Sequence, residues 1–256
     1  MSDPGARSNI PVLTYHSIDE TGSPVSITAR EFRRQMQSLA AAGWRTVTLS
    51  ELMSGHAEGW WPARTFLLTF DDGYRNLLEH ALPVAAECSF HGTVFVSTER
   101  VGGVMTGPGQ PSWTPAGPVL DWNGLKAVAS AGWSIASHGC THRALSGLGP
   151  ADVSRELARS KATIEEKLGL AVTAFAYPYG AVTRTIERLA AAHYEAAFGT
   201  RLAYVTAASR ATNFERIDAY YLQGLPVGRL DGTLARIYLG VRRAGRAVRA
   251  LPHDGY

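Results

Sequence analysis

Asp71 and Asp72 stand side by side in Thr69-Phe70-Asp71-Asp72-Gly73-Tyr74, at the end of an apolar run. Adjacent side chains on a strand point to opposite faces, so both acids reach one site only if the chain turns there. Gly73 supplies the turn. Two carboxylates at the mouth of an apolar strand repel and lose solvation, unless one binds a cation or takes a proton. The local signal reads equally well as a pair capping the next helix. A second cluster, Ser137-His138-Gly139-Cys140-Thr141-His142, sets two imidazoles four residues apart. In a helical turn these share one face and can grip one metal. Two histidines and one carboxylate make a three-ligand site with a position open to water. An acid pair then divides its work, one Asp on the metal and the other free as a base. Cys140 at its spacing points the other way, and it and Cys88 read as ordinary buried thiols.

These residues need a scaffold that gathers them. Residues 10–15, 44–49, 65–70, 92–97, 133–137, 171–176 and 196–199 read as strands. Residues 31–42, 74–88, 122–131, 150–168 and 183–192 read as helices, with Pro83 expected to kink or split the second. Ser50 is the expected cap of a further short helix, and residues 215–218 lead into a last strand. Residues 101–119, rich in Gly and Pro and carrying Trp113, form a surface loop expected to border the site. Strands alternate with helices without a linker, which implies one α/β domain with a mostly parallel, barrel-like sheet. His16, Asp71-Asp72, His138 and Tyr177-Pro178-Tyr179-Gly180 all follow strands. In a parallel barrel such positions meet on one face, where active sites lie.

The net charge of the 256 residues is +3. Six arginines (229, 236, 242, 243, 246, 249) stand against one acid, Asp231, near the C-terminus. Removing that +5 leaves −2, so the basicity belongs to a tail and not to a nucleic-acid-binding body. Two cysteines exclude a disulfide framework. Residues 1–9 show no apolar targeting segment, and no stretch suits a membrane span, so a cytoplasmic protein is expected. The domain reading is a disordered segment 1–9, a main domain 10–228 and an Arg-rich helix and tail 229–256. In that helix Leu234, Ile237, Tyr238 and Val241 are expected to pack on the barrel with the arginines in solvent. Peripheral contact with an anionic membrane is the alternative.

Taken in order, the 69–74 stretch, His138-x3-His142 and Phe175-Ala176-Tyr177-Pro178-Tyr179-Gly180 resemble the polysaccharide deacetylases (NodB homology, carbohydrate esterase family 4). The opening Val12-Leu13-Thr14-Tyr15-His16-Ser17 resembles their circularly permuted branch, which includes poly-N-acetylglucosamine deacetylases. The resemblance covers residues 10 to 225 and implies a distorted (β/α) barrel that hydrolyses an acetyl group with a divalent metal, zinc first, with cobalt, nickel or manganese as alternatives. Carried over, Asp72, His138 and His142 hold the metal. Asp71 is the general base, His16 the general acid, and the Tyr179 backbone N–H an oxyanion donor. Tyr74, Tyr179 and Trp122 are the candidates for contact with an acetylated carbohydrate, and Trp113 is a further stacking candidate. The chain departs from the family at Gly139, where Ser or Thr is common; a looser loop is expected there. It departs again at Ala176, where the family commonly has an arginine that orients the base. Arg216 is the candidate replacement beside Asp71, and a solvent-facing arginine is its alternative. The implied activity is carbohydrate N-deacetylation. The other readings are an O-acetyl esterase or amidase on a small substrate, and a glycan-binding relative without activity, against which the presence of Asp71 speaks.

Overall fold

Seven short parallel strands close on themselves: β1 (Val12–Tyr15), β2 (Thr65–Phe70), β3 (Thr93–Val96), β4 (Ser134–Ser137), β5 (Ala174–Ala176), β6 (Ala196–Leu202) and β7 (Phe214–Asp218). Neighbours run in the order β1-β7-β6-β5-β4-β3-β2, and β2 pairs back onto β1 to complete the barrel. The structure, a computed structural model, describes residues 6–106 and 110–249. Every residue of β1, β2, β3 and β5 is buried. Strands covered on both faces read as continuous apolar runs, which is why these were legible as strands.

Period-two alternation places the polar residues. Val12, Leu67, Phe95, Ala136, Ala174, Ala176, Phe198 and Phe214 share the cluster that fills the barrel interior. Two residues on from Val12 is Thr14, and two further is His16. The same step runs Leu67, Thr69, Asp71 on β2, Ala136 to His138 on β4, and Phe214, Arg216, Asp218 on β7. Because successive residues alternate faces, the apolar interior row on each of these four strands ends in a polar side chain aimed into the barrel mouth. Register then sets the neighbours. Tyr15 lies opposite Phe70, so His16 and Asp71 leave adjacent strands at one level. Val96 lies opposite Ser137, which brings His138 beside the end of β3.

The outer layer is helical: α1 (Ala29–Ala41), α2 (Leu49–Glu58), α3 (Leu82–Glu87), α4 (Trp122–Ser130), α5 (Pro150–Leu168), α6 (Arg184–Ala191) and α7 (Thr233–Arg249). Phe32, Met36 and Leu39 of α1 and Val153, Leu157 and Ile164 of α5 pack on the barrel's outer face. Several expectations shift. The cap of α2 is Thr48, not Ser50; its hydroxyl accepts from the Glu51 N–H and the Glu51 carboxylate answers the Thr48 N–H. Spending Thr48 on this cap shortens the expected strand to Arg45–Thr46. The expected helix 74–88 divides into a π-helical turn, Leu77–Ala81, and α3, with Pro83 in the first turn of α3 where its missing N–H costs nothing. Residues 215–218 are part of β7 itself.

The ends differ most from the sequence reading. Ala6–Arg7 pairs antiparallel with Trp61–Pro62, and Asn9–Ile10 with Val205–Thr206, so residues 6–9 are ordered. The rest of the expected disordered segment lies outside the described residues. Helix α7 packs only in part as expected: Tyr238 rests against the core, and Arg236, Arg242 and Arg243 stay exposed. Leu234, Ile237 and Val241 are exposed, and Leu239 is the buried side chain. Arg242 stacks on Tyr221 and Tyr238, and Arg236 on Tyr204. A weakly hydrated guanidinium packs well on an aromatic face while staying exposed to water. Among the described residues no helix is long and apolar enough to cross a membrane.

Candidate active site

The chain after β2 makes two consecutive left-handed residues, Asp72 (φ 69°) and Gly73 (φ 65°). A Cβ on Gly73 would lie 2.9 Å from Val96 Cγ1, so glycine serves both the turn and the close approach to β3. The turn swings Asp72, which would otherwise face outward, into the cavity beside Asp71. Both acids are 3% exposed.

Asp71 is held by a fork. Arg216 Nη1 donates to Asp71 Oδ1 and Nη2 to Oδ2, each at 2.7 Å. Arg216 Nε donates to the Gly199 carbonyl, and the guanidinium lies 5.8 Å over the Phe95 ring. The structure therefore brings Arg216 to the acid and buries it, instead of leaving it in solvent. Burial alone would raise the Asp71 pKa; the guanidinium and then the neighbouring His138 outweigh it and hold the carboxyl below its ordinary value. His16 Nε2 lies 3.8 Å from Asp71 Oδ2, nearer the mouth.

The histidines converge on Asp72. His142 Nε2 is 3.0 Å and His138 Nε2 3.5 Å from Asp72 Oδ1. His138 Nδ1 donates to the Ala176 carbonyl at 2.8 Å, and His142 Nδ1 donates to Gln110 Oε1 at 2.9 Å. With the ring protons committed at Nδ1, each Nε2 presents a lone pair to the carboxylate. Asp72 Oδ1 is buried and has no hydrogen-bond partner, although the nearest imidazole nitrogen is at contact distance. Burial pushes the His138 pKa down to about 4, so this imidazole is neutral and fit to be a ligand. Three electron-pair donors within 4.8 Å of one another, around an unsatisfied oxygen, fit a divalent cation.

Residues 138–142 do not form the helical turn that the His-x3-His spacing suggested. Gly139 (φ 84°) and His142 (φ 58°) are left-handed, and the segment is an irregular loop. Glu156 of α5 holds it: Oε2 accepts from the Cys140 and Thr141 N–H groups, and Oε1 from the Thr141 hydroxyl. A Cβ at Gly139 would sit 3.0 Å from Glu156 Oε2. The glycine thus admits the clamp, and the looser loop expected there is not found. Cys140 Sγ donates to the Glu156 carbonyl and takes no part in the ligand cluster.

A cavity of ≈ 240 Å³ opens over these groups. His16, Asp71, Asp72, His138, His142, Tyr179 and Arg216 all line it, joined by Thr14, Val25, Trp113, Thr114, Tyr177, Thr200 and Asp218. Tyr179 (φ 59°) donates its hydroxyl to Gln110 Oε1; burial and then the Asp72 charge push its pKa up to about 12, so it stays protonated. Two expected substrate contacts fall elsewhere. Tyr74 is buried in a small cluster with Met105 and Val119, and its hydroxyl donates to the Pro115 carbonyl, so it supports the loop from beneath. Trp122 packs against the outer core at the start of α4 and does not figure among the described lining residues; Trp113, 45% exposed, does. Asp218 was visible as the next inward residue after Arg216. Nothing in the sequence pointed to Gln110 or Glu156.

Comparison with known proteins gives the barrel a lineage. The family described as polysaccharide deacetylase matches residues 61–197, more than half the chain. Bacillus subtilis YxkH, whose name places it in that family, is 29% identical over 174 residues, 68% of this chain and 57% of its own length. Poly-beta-1,6-N-acetyl-D-glucosamine N-deacetylase of Staphylococcus epidermidis is 31% identical over 77 residues, 30% of this chain and 27% of its own. The chain thus spans less than two thirds of the curated relatives it matches. Among solved structures, the Streptococcus pyogenes deacetylase PplD in complex with acetate superposes with TM-score 0.75 at 23% identity, covering 87% of this chain and 97% of that one. IcaB from Ammonifex degensii superposes with TM-score 0.71 at 25% identity, covering 84% and 94%. The match over most of the barrel strands, and a barrel shared nearly end to end with solved deacetylases, leave one assignment: the chain belongs to the polysaccharide deacetylase family.

Proposed function

We propose that this protein is a divalent-metal-dependent deacetylase that hydrolyses the N-acetyl group of an acetylated sugar. The observation that carries the proposal is the divided acid pair: Asp72 faces two imidazole nitrogens, while Asp71 is turned to a guanidinium and is 3.8 Å from His16. A divalent ion held by Asp72, His138 and His142, zinc being the best match to two imidazoles and one carboxylate, would supply Lewis acidity, lowering the pKa of a water and polarising the acetyl carbonyl. Asp71, ionised beside Arg216, takes the proton from the attacking water. Arg216 keeps that carboxylate charged and fixes its plane. His16 gives a proton to the departing amine nitrogen, which could not leave as an anion. The Tyr179 backbone N–H donates to the oxygen on which charge develops. Trp113 offers an exposed indole at the rim against which a sugar ring can stack. A sugar substrate is supported by the name of the Staphylococcus epidermidis relative.

The test is acetate release from a panel of N-acetylated and O-acetylated glycans, with chelator and with metal restored, for wild type and Asp71→Asn. The expected result is chelator-sensitive release from N-acetylated sugars, lowered by about 10²- to 10⁴-fold in the variant. Release that persists with the chelator would refute the metal chemistry. Release confined to O-acetyl groups would make the protein an esterase instead.

A further inference from the structure

We propose that Gln110 is a positioning residue for the metal site: it fixes the tautomer of His142 and ties the substrate-side loop to a metal ligand. Gln110 lies in the loop between β3 and α4, 32 residues from His142 in sequence. Its side-chain amide grips that histidine twice. Oε1 accepts from His142 Nδ1 at 2.9 Å, and Nε2 donates to the His142 carbonyl at 3.4 Å. Oε1 also accepts the Tyr179 hydroxyl at 2.7 Å. These contacts dictate which way the amide points. Turned over, it would set its oxygen against the His142 carbonyl oxygen and its NH₂ against the ring proton. The amide oxygen therefore holds the proton on Nδ1, with the Tyr179 hydroxyl oxygen, 3.1 Å from the same nitrogen, as a second acceptor, and leaves Nε2, the atom 3.0 Å from Asp72, as a lone pair.

The two histidines solve the same problem differently. His138 is fixed by the carbonyl of Ala176, a barrel strand that cannot move independently. His142 is fixed by a side chain on a loop. The same loop carries Trp113 and Thr114 to the cavity wall, and Ser23 Oγ anchors it from across the mouth by donating to the Trp113 carbonyl. His142 also holds a left-handed backbone, φ 58°, so its orientation needs support from outside its own segment. Partners that orient a metal-ligating imidazole typically change metal affinity 10- to 100-fold when removed. Gln110 is thus the point at which loop position and metal retention meet.

This inference rests on the metal reading above, so the experiment separates the two. Zinc affinity is measured by competition with a chelating dye for wild type, Asp72→Asn, Gln110→Ala, Gln110→Leu and Gln110→Glu, with thermal unfolding of each metal-free protein alongside. The expected result is about a 10- to 100-fold weaker dissociation constant for Gln110→Ala and Gln110→Leu. Gln110→Glu, whose carboxylate still accepts from Nδ1, should restore it. Metal-free wild-type protein should show His142 as the Nδ1–H tautomer in long-range ¹H–¹⁵N spectra. Zinc binding within threefold of wild type in Gln110→Ala, failure of Gln110→Glu to restore affinity, or an Nε2–H tautomer in wild type would each overturn the proposal. The spectrum decides even if every variant fails to fold. Zinc binding that survives Asp72→Asn unchanged would instead refute the metal site itself.

Discussion

Replacing Arg216 with methionine tests the pairing on which the role of Asp71 depends. Methionine fills the stem's volume against Phe95 but removes both bonds to Asp71 and the bond to Gly199. A buried ion pair adds little over an apolar pair, yet removing one partner leaves an uncompensated charge and costs about 3–5 kcal/mol. For a chain of this size that is a fall of roughly 6–20 °C in Tm, at about 2–4 °C per kcal/mol. The assay is denaturant unfolding of metal-free wild type, Arg216→Met, Asp71→Asn and the double variant. The double variant should be more stable than the sum of the singles predicts by about 2 kcal/mol, because neither charge is then stranded. The pH dependence follows from the sign of the shift. Asp71 paired with Arg216 is depressed, so its stabilisation is present above about pH 4 and lost as pH falls through the folded-state value. Without the guanidinium, burial raises Asp71, and the variant pays for ionising it as pH climbs through the carboxylate range. The gap between the two proteins should be widest near neutrality and shrink in acid. A gap that stays constant with pH, or single effects that add to within about 0.5 kcal/mol, would refute the reasoning.

Four further outcomes are expected. His138 is buried neutral and its pKa is depressed to about 4, so the unfolded chain binds the proton first. Metal-free protein should lose roughly 3 kcal/mol as pH falls from about 6.5 to 4, and His138→Gln should flatten that stretch of the stability curve. Glu156→Ala strands the buried Cys140 N–H and the half-buried Thr141 groups, and should cost about 1–3 kcal/mol in unfolding and weaken zinc binding in dye competition. Gly180→Ala drives a Cβ to 2.1 Å from Thr200 Oγ1 at φ 68°, and should destabilise by over about 1 kcal/mol and raise KM for the acetylated glycan more than Ala181→Ser does. On α7, Leu234→Gln and Ile237→Gln should leave the unfolding free energy within about 0.5 kcal/mol of wild type, whereas Leu239→Ala should cost about 2–5 kcal/mol. The opposite order would restore the packing that the apolar spacing suggested.

Much of the barrel and its polar mouth was legible because two signals coincide in the chain. Apolar runs buried on both faces mark the strands, and a polar residue one inward step past each run marks the mouth. His16, Asp71 and His138 are all found in this way, and Arg216 was reached from the gap that Ala176 leaves. What escaped has a common physical origin: contacts between segments far apart in sequence leave no periodic trace. Gln110 and Glu156 reach the histidine loop from a loop and a helix whose local patterns serve their own folding. Tyr74 and Trp122 were misplaced for a related reason, since an aromatic side chain beside a motif carries no mark of which side of the backbone it occupies. Helix α7 was read only in part: of the row taken as the packed face, Tyr238 rests against the core, while Leu234, Ile237 and Val241 are exposed and the neighbouring Leu239 is buried instead.

The question posed by two adjacent acids resolves through backbone strain. Five non-glycine residues with positive φ occur among those described, and three of them, Asp72, His142 and Tyr179, are site residues. Each costs on the order of 1–3 kcal/mol and persists only where the surroundings over-determine it. The reason for the concentration is topological. A barrel strand delivers only every second side chain to the mouth, so one strand end supplies one inward group. A site that takes two inward groups from the same strand must turn the next residue through the left-handed region to bring it round. Asp72 does this with the help of Gly73, which passes close against Val96 where a side chain would not fit. His142 does it under the Glu156 and Gln110 clamps, and Tyr179 does it beside Gly180 packed on Thr200. Asp71 needs no such help, because it is the inward residue in phase and its constraint comes from Arg216 on β7, one strand away beyond β1. The two neighbours are therefore separated by backbone conformation before any charge is considered: one is fixed by the strand and a guanidinium, and the other by a strained turn toward the imidazoles.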